Sequence, residues 1–339
     1  MSRDLSIRRE GRAGRITLMR PQALNALSHE MARAIHAALL DWKDKAGVDL
    51  VVIDAEGSRA FCAGGDIAAV YHAGITGDHA SGQRFFFDEY RMNAEIANYP
   101  KPVCAFMQGF VMGGGVGVGG HASHRIVGDT SRIAMPESGI GLIPDVGGSW
   151  LLARAPGFLG EYLMLTADRM GPGDAIRAGF ADLYLPESEW PGLVARLVQT
   201  GDAGLITGQA PPDAPLAARD LSAFGGKDIS AITAALEAAG DQAALAPIRR
   251  NSPLSMAAGL VILRQSRKDH RIESSLAREY RFTARATRMS DFLEGVRAQV
   301  IDKDRNPQWR ADASPAAVAA ILAPLGPDEL HFGAGQAAP

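Results

Sequence analysis

Cysteine is nearly absent from this chain. It has two, Cys62 and Cys104, both inside apolar segments, which excludes a disulfide framework and sets the expectation of a reducing compartment, the cytoplasm. An excess of one charge sign is lacking too. The formal net charge is −3, so the chain as a whole is drawn neither to nucleic acid nor to an anionic membrane, and a polyanionic ligand has to be held by local groups. No apolar run is long enough to span a bilayer. The segment Met1–Arg20 mixes arginines with Asp4 and Glu10 and lacks the apolar stretch of a secretory signal. Repeat periods and heptads are missing, as is the G-x-S-x-G nucleophile elbow of the serine hydrolases. His121 and His124 form the only close histidine pair; with no further ligand near them in sequence, a structural role is expected and no metal site. A small-molecule partner is what these absences leave.

What the chain does have is 38 glycines, 19 prolines and 47% hydrophobic residues in 339, enough to bury a large core in an α/β enzyme. Strand-like and helix-like segments alternate through the first half, as βαβ connections require. Ile16 to Met19 reads as a strand. Ser28 reads as the N-cap of an amphipathic helix carrying Met31, Ile35, Ala38, Leu39 and Trp42. Leu50 to Asp54 is a buried strand by its β-branched run. A helix is expected from Gln83 to Asn98, stopped by Pro100 and Pro102, with strands at Val103 to Met107 and Arg125 to Val127. Short helices are expected at Ser149 to Ala153, Gly160 to Thr166 and Asp174 to Ala178. After a proline-bearing linker between Gln209 and Pro215 the pattern is alanine-rich and helical. The division expected is therefore a core over residues 1–208, a mainly helical region over 209–332 and a disordered tail over 333–339.

Four constellations bear on chemistry. Ala60-Phe-Cys-Ala-Gly-Gly-Asp-Ile67 follows a strand, and its glycines suit a phosphate cradle, an oxyanion donor or an ordinary tight turn. Gly113 to Gly120 exposes backbone amides, or packs a helix closely on its neighbours; Gly115-Val-Gly-Val-Gly-Gly120 also fits G-x-G-x-x-G, but a dinucleotide fingerprint opens a full helix, and this segment is filled with glycine. Met135-Pro-Glu-Ser-Gly-Ile-Gly-Leu-Ile-Pro-Asp-Val-Gly-Gly148 sets Glu137 and Asp145 among apolar residues, where carboxylates either do acid–base work or cap helices. In Phe85-Phe-Phe-Asp-Glu-Tyr90 an acid faces either a pocket or water. Cys62 is better suited to packing than to nucleophilic attack.

Ala60 to Ile67, Met112-Gly-Gly-Gly115 and Met135-Pro-Glu137, in that order and at those intervals, resemble the crotonase superfamily, the enoyl-CoA hydratases and isomerases. Leu165 to Met170 and Ala175 to Phe180 are similar to its segment after the active site. The resemblance implies a crotonase-like spiral of ββα turns followed by a C-terminal helical region. It also implies an acyl-CoA thioester whose oxygen sits between the N–H groups of Gly65 and Gly114. The CoA moiety would lie along Ala23, Asn25 and Leu27 and along Ala63, Gly64, Asp66 and Ile67.

Hydratases of the family carry one glutamate at the position of Glu137 and another two residues after the three glycines, where this chain has Gly117. Asp145 stands where they usually have glycine. Ile140-Gly-Leu-Ile-Pro-Asp-Val-Gly-Gly148 instead resembles the hydroxyisobutyryl-CoA hydrolases, as do Asp291-Phe-Leu-Glu-Gly-Val-Arg297 and Ile301-Asp-Lys-Asp304 through Trp309. That likeness implies thioester hydrolysis of 3-hydroxyisobutyryl-CoA or a related short β-hydroxyacyl-CoA in valine catabolism. Glu89, Glu137, Asp145 and Gly114 would contact the substrate, and no cofactor would be needed, since CoA is part of the substrate. Hydration or isomerisation, and non-catalytic acyl-CoA binding, are the alternatives. Crotonases are often trimers or paired trimers, so a homo-oligomer is open to this chain too.

Overall fold

Nine strands, β1 (Leu5–Glu10), β2 (Ala13–Leu18), β3 (Leu50–Ala55), β4 (Ala60–Cys62), β5 (Val103–Met107), β6 (Phe110–Met112), β7 (His124–Val127), β8 (Arg132–Ala134) and β9 (Leu183–Tyr184), form two sheets in the computed structural model, which describes residues 3–333. The larger sheet has the order β1-β2-β3-β5-β7-β9, and the smaller β4-β6-β8. Among the named strands of the described residues, only β1 and β2 pair antiparallel, as a hairpin; every other ladder is parallel. The strand pairs β3–β4, β5–β6 and β7–β8 each give one strand to each sheet before the chain turns helical, which is the ββα spiral of a crotonase. Parallel neighbours need long crossovers, and the intervening helices supply them.

The chain divides into two compact units. One comprises the chain up to Gly65 with Arg91–Ala134 and Arg169–Ala218; the other comprises Asp66–Tyr90, Met135–Asp168 and the chain from Arg219 onward. Both are discontinuous in sequence. Both sheets belong to the first unit, and among the described residues the second contains no strand. From residue 334 on, the expected tail lies outside the described residues.

In the first unit, Leu50, Val52, Cys104, Phe106 and Ile126 of the sheet meet Trp190, Leu193, Val194 and Leu197 of the helix Trp190–Thr200. Each such side chain, taken fully out of water, contributes roughly 1.5–3 kcal/mol. Ser28 caps the helix His29–Trp42 by accepting from the Met31 amide at 3.2 Å, as its place before the apolar stripe predicts. The helix His79–Ala97 begins a turn earlier than the Phe-rich stretch suggests, because Asp78 accepts from the Ser81 amide at 3.1 Å.

In the second unit the apolar face of that helix gathers rings. Phe86 meets Phe292, and both Phe87 and Tyr90 meet Tyr280, with centroids 5.9–6.3 Å apart and edge-to-face geometry. The helices Pro253–Ser266, Ile272–Thr283 and Phe292–Val296 belong to the same unit. The last packs on the turn at Glu137–Ile140: a Cβ on Gly295 would overlap the Ile140 backbone, and one on Gly141 the backbone of Asp291. That contact gives the Asp291–Arg297 segment its physical reason.

Candidate active site

In the first unit the two glycine segments lie against each other. The loop after β4 is strapped to residues 24–27: the Ala63 amide donates to the Leu24 carbonyl at 3.0 Å, and the Leu27 amide to that of Gly64 at 2.9 Å. Gly64 has φ +125° and Gly113 φ +46°, conformations that suit only glycine. Gly114–Gly119 is a buried helix of six residues, short where a dinucleotide fingerprint would open a full one. Gly114 opens it, and first-turn N–H groups have no intrahelical acceptor. Gly115 lets the helix press on the loop, because a Cβ there would overlap the Cys62 carbonyl oxygen. Gly115→Ala therefore forces backbone apart, and its urea midpoint should fall by the equivalent of roughly 1–3 kcal/mol, the usual cost of overpacking; a midpoint equal to wild type would show that the two segments are not in contact.

Asn25 is wholly buried, and its amide is committed inside the protein. It accepts from the Arg20 amide at 2.8 Å and donates to the carbonyls of Glu56 and Ala60, both at 2.9 Å. Its side chain shapes this strap, in which every backbone N–H from Ala23 to Leu27 also donates within the protein. Cys62 and Cys104 are buried and neither is in a disulfide, and burial pushes the Cys104 thiol up to about 12.

The second unit holds the carboxylates. Glu89, Glu137, Asp145 and Glu279 are 2%, 5%, 4% and 0% exposed. Asp88 is only half-buried, so Glu89 is the acid that the Phe-rich helix turns inward. Burial first, and then the charge of Asp145, hold Glu89 and Glu137 well above the ordinary carboxylate range. Burial raises Asp145 to about 7 against the opposing hydrogen bond from Tyr90, and Glu279 to about 8 against those from Ser149 and Gly147. Glu89 Oε1 and Glu137 Oε2 are buried without a hydrogen-bond partner in the protein. Buried polar atoms are nearly always satisfied, so two orphaned carboxylate oxygens are groups suited to a water or a substrate hydroxyl.

Each carboxylate is placed by a local irregularity. Glu137 starts the single turn Glu137–Ile140 after Pro136, closed by Gly141 at φ +73°. Asp145 precedes Val146 at φ +53° and Gly147 at φ +79°. A β-branched residue in the left-handed region costs about 1–3 kcal/mol and persists only where its surroundings hold it. Asp145 does not cap the helix Gly148–Leu152 with its side chain, which removes the capping alternative. Its Oδ2 accepts instead from the Tyr90 hydroxyl at 2.6 Å, and that hydroxyl is 3.2 Å from Thr283 Oγ1. Glu279 accepts from the amides of Gly147 at 2.8 Å and Ser149 at 3.1 Å, and from the Ser149 hydroxyl.

Comparison with known proteins fits this arrangement. The model of the enoyl-CoA hydratase/isomerase family matches residues 13–322. The chain belongs to the enoyl-CoA hydratase/isomerase family. Among curated relatives, "3-hydroxyisobutyryl-CoA hydrolase, mitochondrial" of Xenopus tropicalis is 37% identical over 89% of this chain and 83% of its own length. "3-hydroxyisobutyryl-CoA hydrolase 1" of Arabidopsis thaliana is 34% identical over 87% and 83%. Among solved structures, one described as an enoyl-CoA hydratase from Rhodobacter sphaeroides 2.4.1 is 53% identical with TM-score 0.93, covering 97% of this chain and 100% of the other. One described as a carnitinyl-CoA dehydratase from Mycobacterium thermoresistibile is 40% identical with TM-score 0.92, covering 99% and 100%.

Gly117, where the resemblance to the hydratases implies a second glutamate, lies inside the buried helix Gly114–Gly119 and brings no carboxylate there. Three groups of the carboxylate cluster escape a sequence reading of the family motifs: Tyr90, Thr283 and Glu279. Glu279 leaves a signal all the same, an acid on the buried stripe Leu276, Glu279, Tyr280 and Thr283 of an amphipathic helix. Because the Tyr90 hydrogen bond lowers Asp145, Tyr90→Phe should move the Asp145 titration midpoint above its value of about 7. Carboxyl carbon NMR on the unliganded protein reads this directly, and an unmoved midpoint would show that the bond is absent in solution.

Proposed function

We propose that this chain hydrolyses 3-hydroxyisobutyryl-CoA, or a closely related short β-hydroxyacyl-CoA, to the free acid and CoA, the step of valine catabolism that carries that substrate. The observation that carries the reading is the set of buried carboxylates Glu89, Glu137 and Asp145, two of them with an orphaned oxygen, on a chain whose position 117 is glycine. The names of curated relatives covering about nine-tenths of the chain support it.

The chemistry asks for three things. The thioester oxygen gains negative charge as the carbon turns tetrahedral, and the N–H groups of Gly65 and Gly114 are assigned to it. Water must lose a proton as its oxygen bonds to the carbonyl carbon. Glu137, with Oε2 unpartnered, is the assigned base; its raised pKa makes it a stronger base when ionised, and burial leaves its charge poorly solvated. As the C–S bond breaks, the sulfur leaves as CoA thiolate and takes up the proton that Glu137 received from water, which restores the base. Asp145 and Glu89 are assigned to the substrate hydroxyl and the water. Water and these groups balance the reaction, so no metal or redox cofactor is invoked, and dialysis against EDTA should leave turnover unchanged.

A single turnover in 18O-water tests the reading. Hydrolysis puts 18O into the carboxylate of the released acid; label in Glu137 itself would mark attack by that carboxylate and a transient anhydride. Label only at the β-carbon of a product still joined to CoA would establish the second reading, hydration, which the name given to the 53% identical structure favours. The two buried cysteines, neither in a disulfide, support a reducing, cytoplasmic setting; the animal relatives' names carry the word mitochondrial.

A further inference from the structure

We propose that Glu279 is a positioning residue for Asp145: it holds the strained turn that follows Asp145, and through it the placement of that carboxylate. The inference rests on the hydrolase reading for its kinetic consequence, but its geometric basis is independent of substrate. Glu279 is wholly buried. Both its oxygens are used on the turn, Oε2 on the Gly147 amide and Oε1 on the amide and hydroxyl of Ser149. These amides lie at the start of the helix Gly148–Leu152, where no side chain of the turn itself caps, and first-turn amides need an outside acceptor.

What is held is unfavourable on its own. Val146, directly after Asp145, is at φ +53°, and for a β-branched residue such a conformation survives only where neighbours over-determine it. Ser149 is gripped a second time, its Oγ 3.2 Å from that of Ser266, which accepts from Ser275 at 2.9 Å. Thr283, one turn beyond Glu279 on the same helix, is the hydroxyl within reach of Tyr90. The helix Ile272–Thr283 thus controls Asp145 twice, by the backbone after it through Glu279 and by its carboxylate through Thr283 and Tyr90. The ionisable groups whose charges act on or with Glu279 are Asp145, Glu137 and the Tyr90 phenol. Arg278, its neighbour on the helix, is turned to Asp269 at 2.6 Å.

A residue that acts through Asp145 has no separate effect once Asp145 is gone. The test is a double-mutant cycle in thiol release with Glu279→Gln, Asp145→Asn and the pair. Glu279→Gln alone is expected to lower kcat about tenfold to a hundredfold, the scale of a misplacement of about 1 Å, with KM and the thermal midpoint little changed. Added to Asp145→Asn it should cost nothing further. A residue that only stabilises the fold would lower the thermal midpoint without this non-additivity. Should Glu279→Gln not fold, Ser149→Ala, which removes one of the bonds and keeps the carboxylate, carries the same cycle. Carboxyl carbon NMR of Asp145 without substrate separates the positioning role from the reaction. A displaced Asp145 titration in Ser149→Ala, which loosens the turn and keeps the Glu279 carboxylate, sustains the positioning role even if the wild type releases no thiol, which would sink the hydrolase reading alone. An unmoved Asp145 titration in Ser149→Ala together with fully multiplicative kinetics overturns the proposal.

Discussion

Glu137→Gln lowers kcat for acyl-CoA hydrolysis by on the order of a hundredfold or more, the size of a lost general base, and leaves KM within about threefold. Burial is the first reason. Glu137 is 5% exposed, its Oε2 has no partner in the protein, and the charge of Asp145 adds to the effect of burial in raising it. Glutamine keeps the volume and the turn Glu137–Ile140 but can take no proton from water. The loss therefore falls on a step made in the transition state, which appears in kcat and kcat/KM alike. Steady-state kinetics over a range of acyl-CoA concentrations separates this from a binding defect; near-normal kcat would remove Glu137 from the mechanism, and a raised KM alone would make it a binding residue.

Asp145→Asn has two opposed effects. Turnover falls on the order of a hundredfold or more, because the amide still accepts from Tyr90 but carries no charge to orient water or substrate. Stability moves the other way. The folded-state pKa of Asp145, about 7, lies above the ordinary 3.8. From about pH 4 upward the unfolded chain sheds this proton while the folded chain keeps it, so the wild type loses stability as pH rises through that window, and above about pH 7 the full penalty remains. Asparagine has no such penalty. The variant should exceed wild type in unfolding free energy by on the order of 2–4 kcal/mol at pH 8, with the difference closing towards pH 4. Urea titrations at the two pH values check this; a variant less stable than wild type at pH 8 would mean that the Asp145 carboxylate is not buried as described. An inactive yet more stable variant is the signature of a site that keeps a destabilising group for its chemistry.

The parallel strands and the first amphipathic helix were legible because each has a period or a β-branched run of its own, as in Leu50–Ala55 and His29–Trp42. Motif spacing pointed to the glycine segments and to Glu137 and Asp145, since these elements lie near one another in sequence. The holding groups were less legible. Glu279 and Thr283 come from a helix more than a hundred residues away from the Gly147–Ser149 turn, and nothing local marks which buried acid caps which turn. Capping by Asp145 and pocket-facing by Glu89 were open alternatives because helical spacing does not tell one inward face from another. The uncapped start of Gly148–Leu152 decides the first, and the burial of Glu89 excludes water for the second. The role of Asn25 likewise depends on Glu56 and Ala60, carbonyls that its own segment does not contain.

The central claim is that the carboxylates serve thioester hydrolysis, and it is tested most directly by following free CoA thiol from 3-hydroxyisobutyryl-CoA beside the ultraviolet signal of crotonyl-CoA hydration, with wild type and Asp145→Gly. The account predicts thiol release by wild type, its loss in Asp145→Gly and no hydration by either. Hydration by wild type without thiol release would contradict it and make this chain a hydratase working without a carboxylate at position 117.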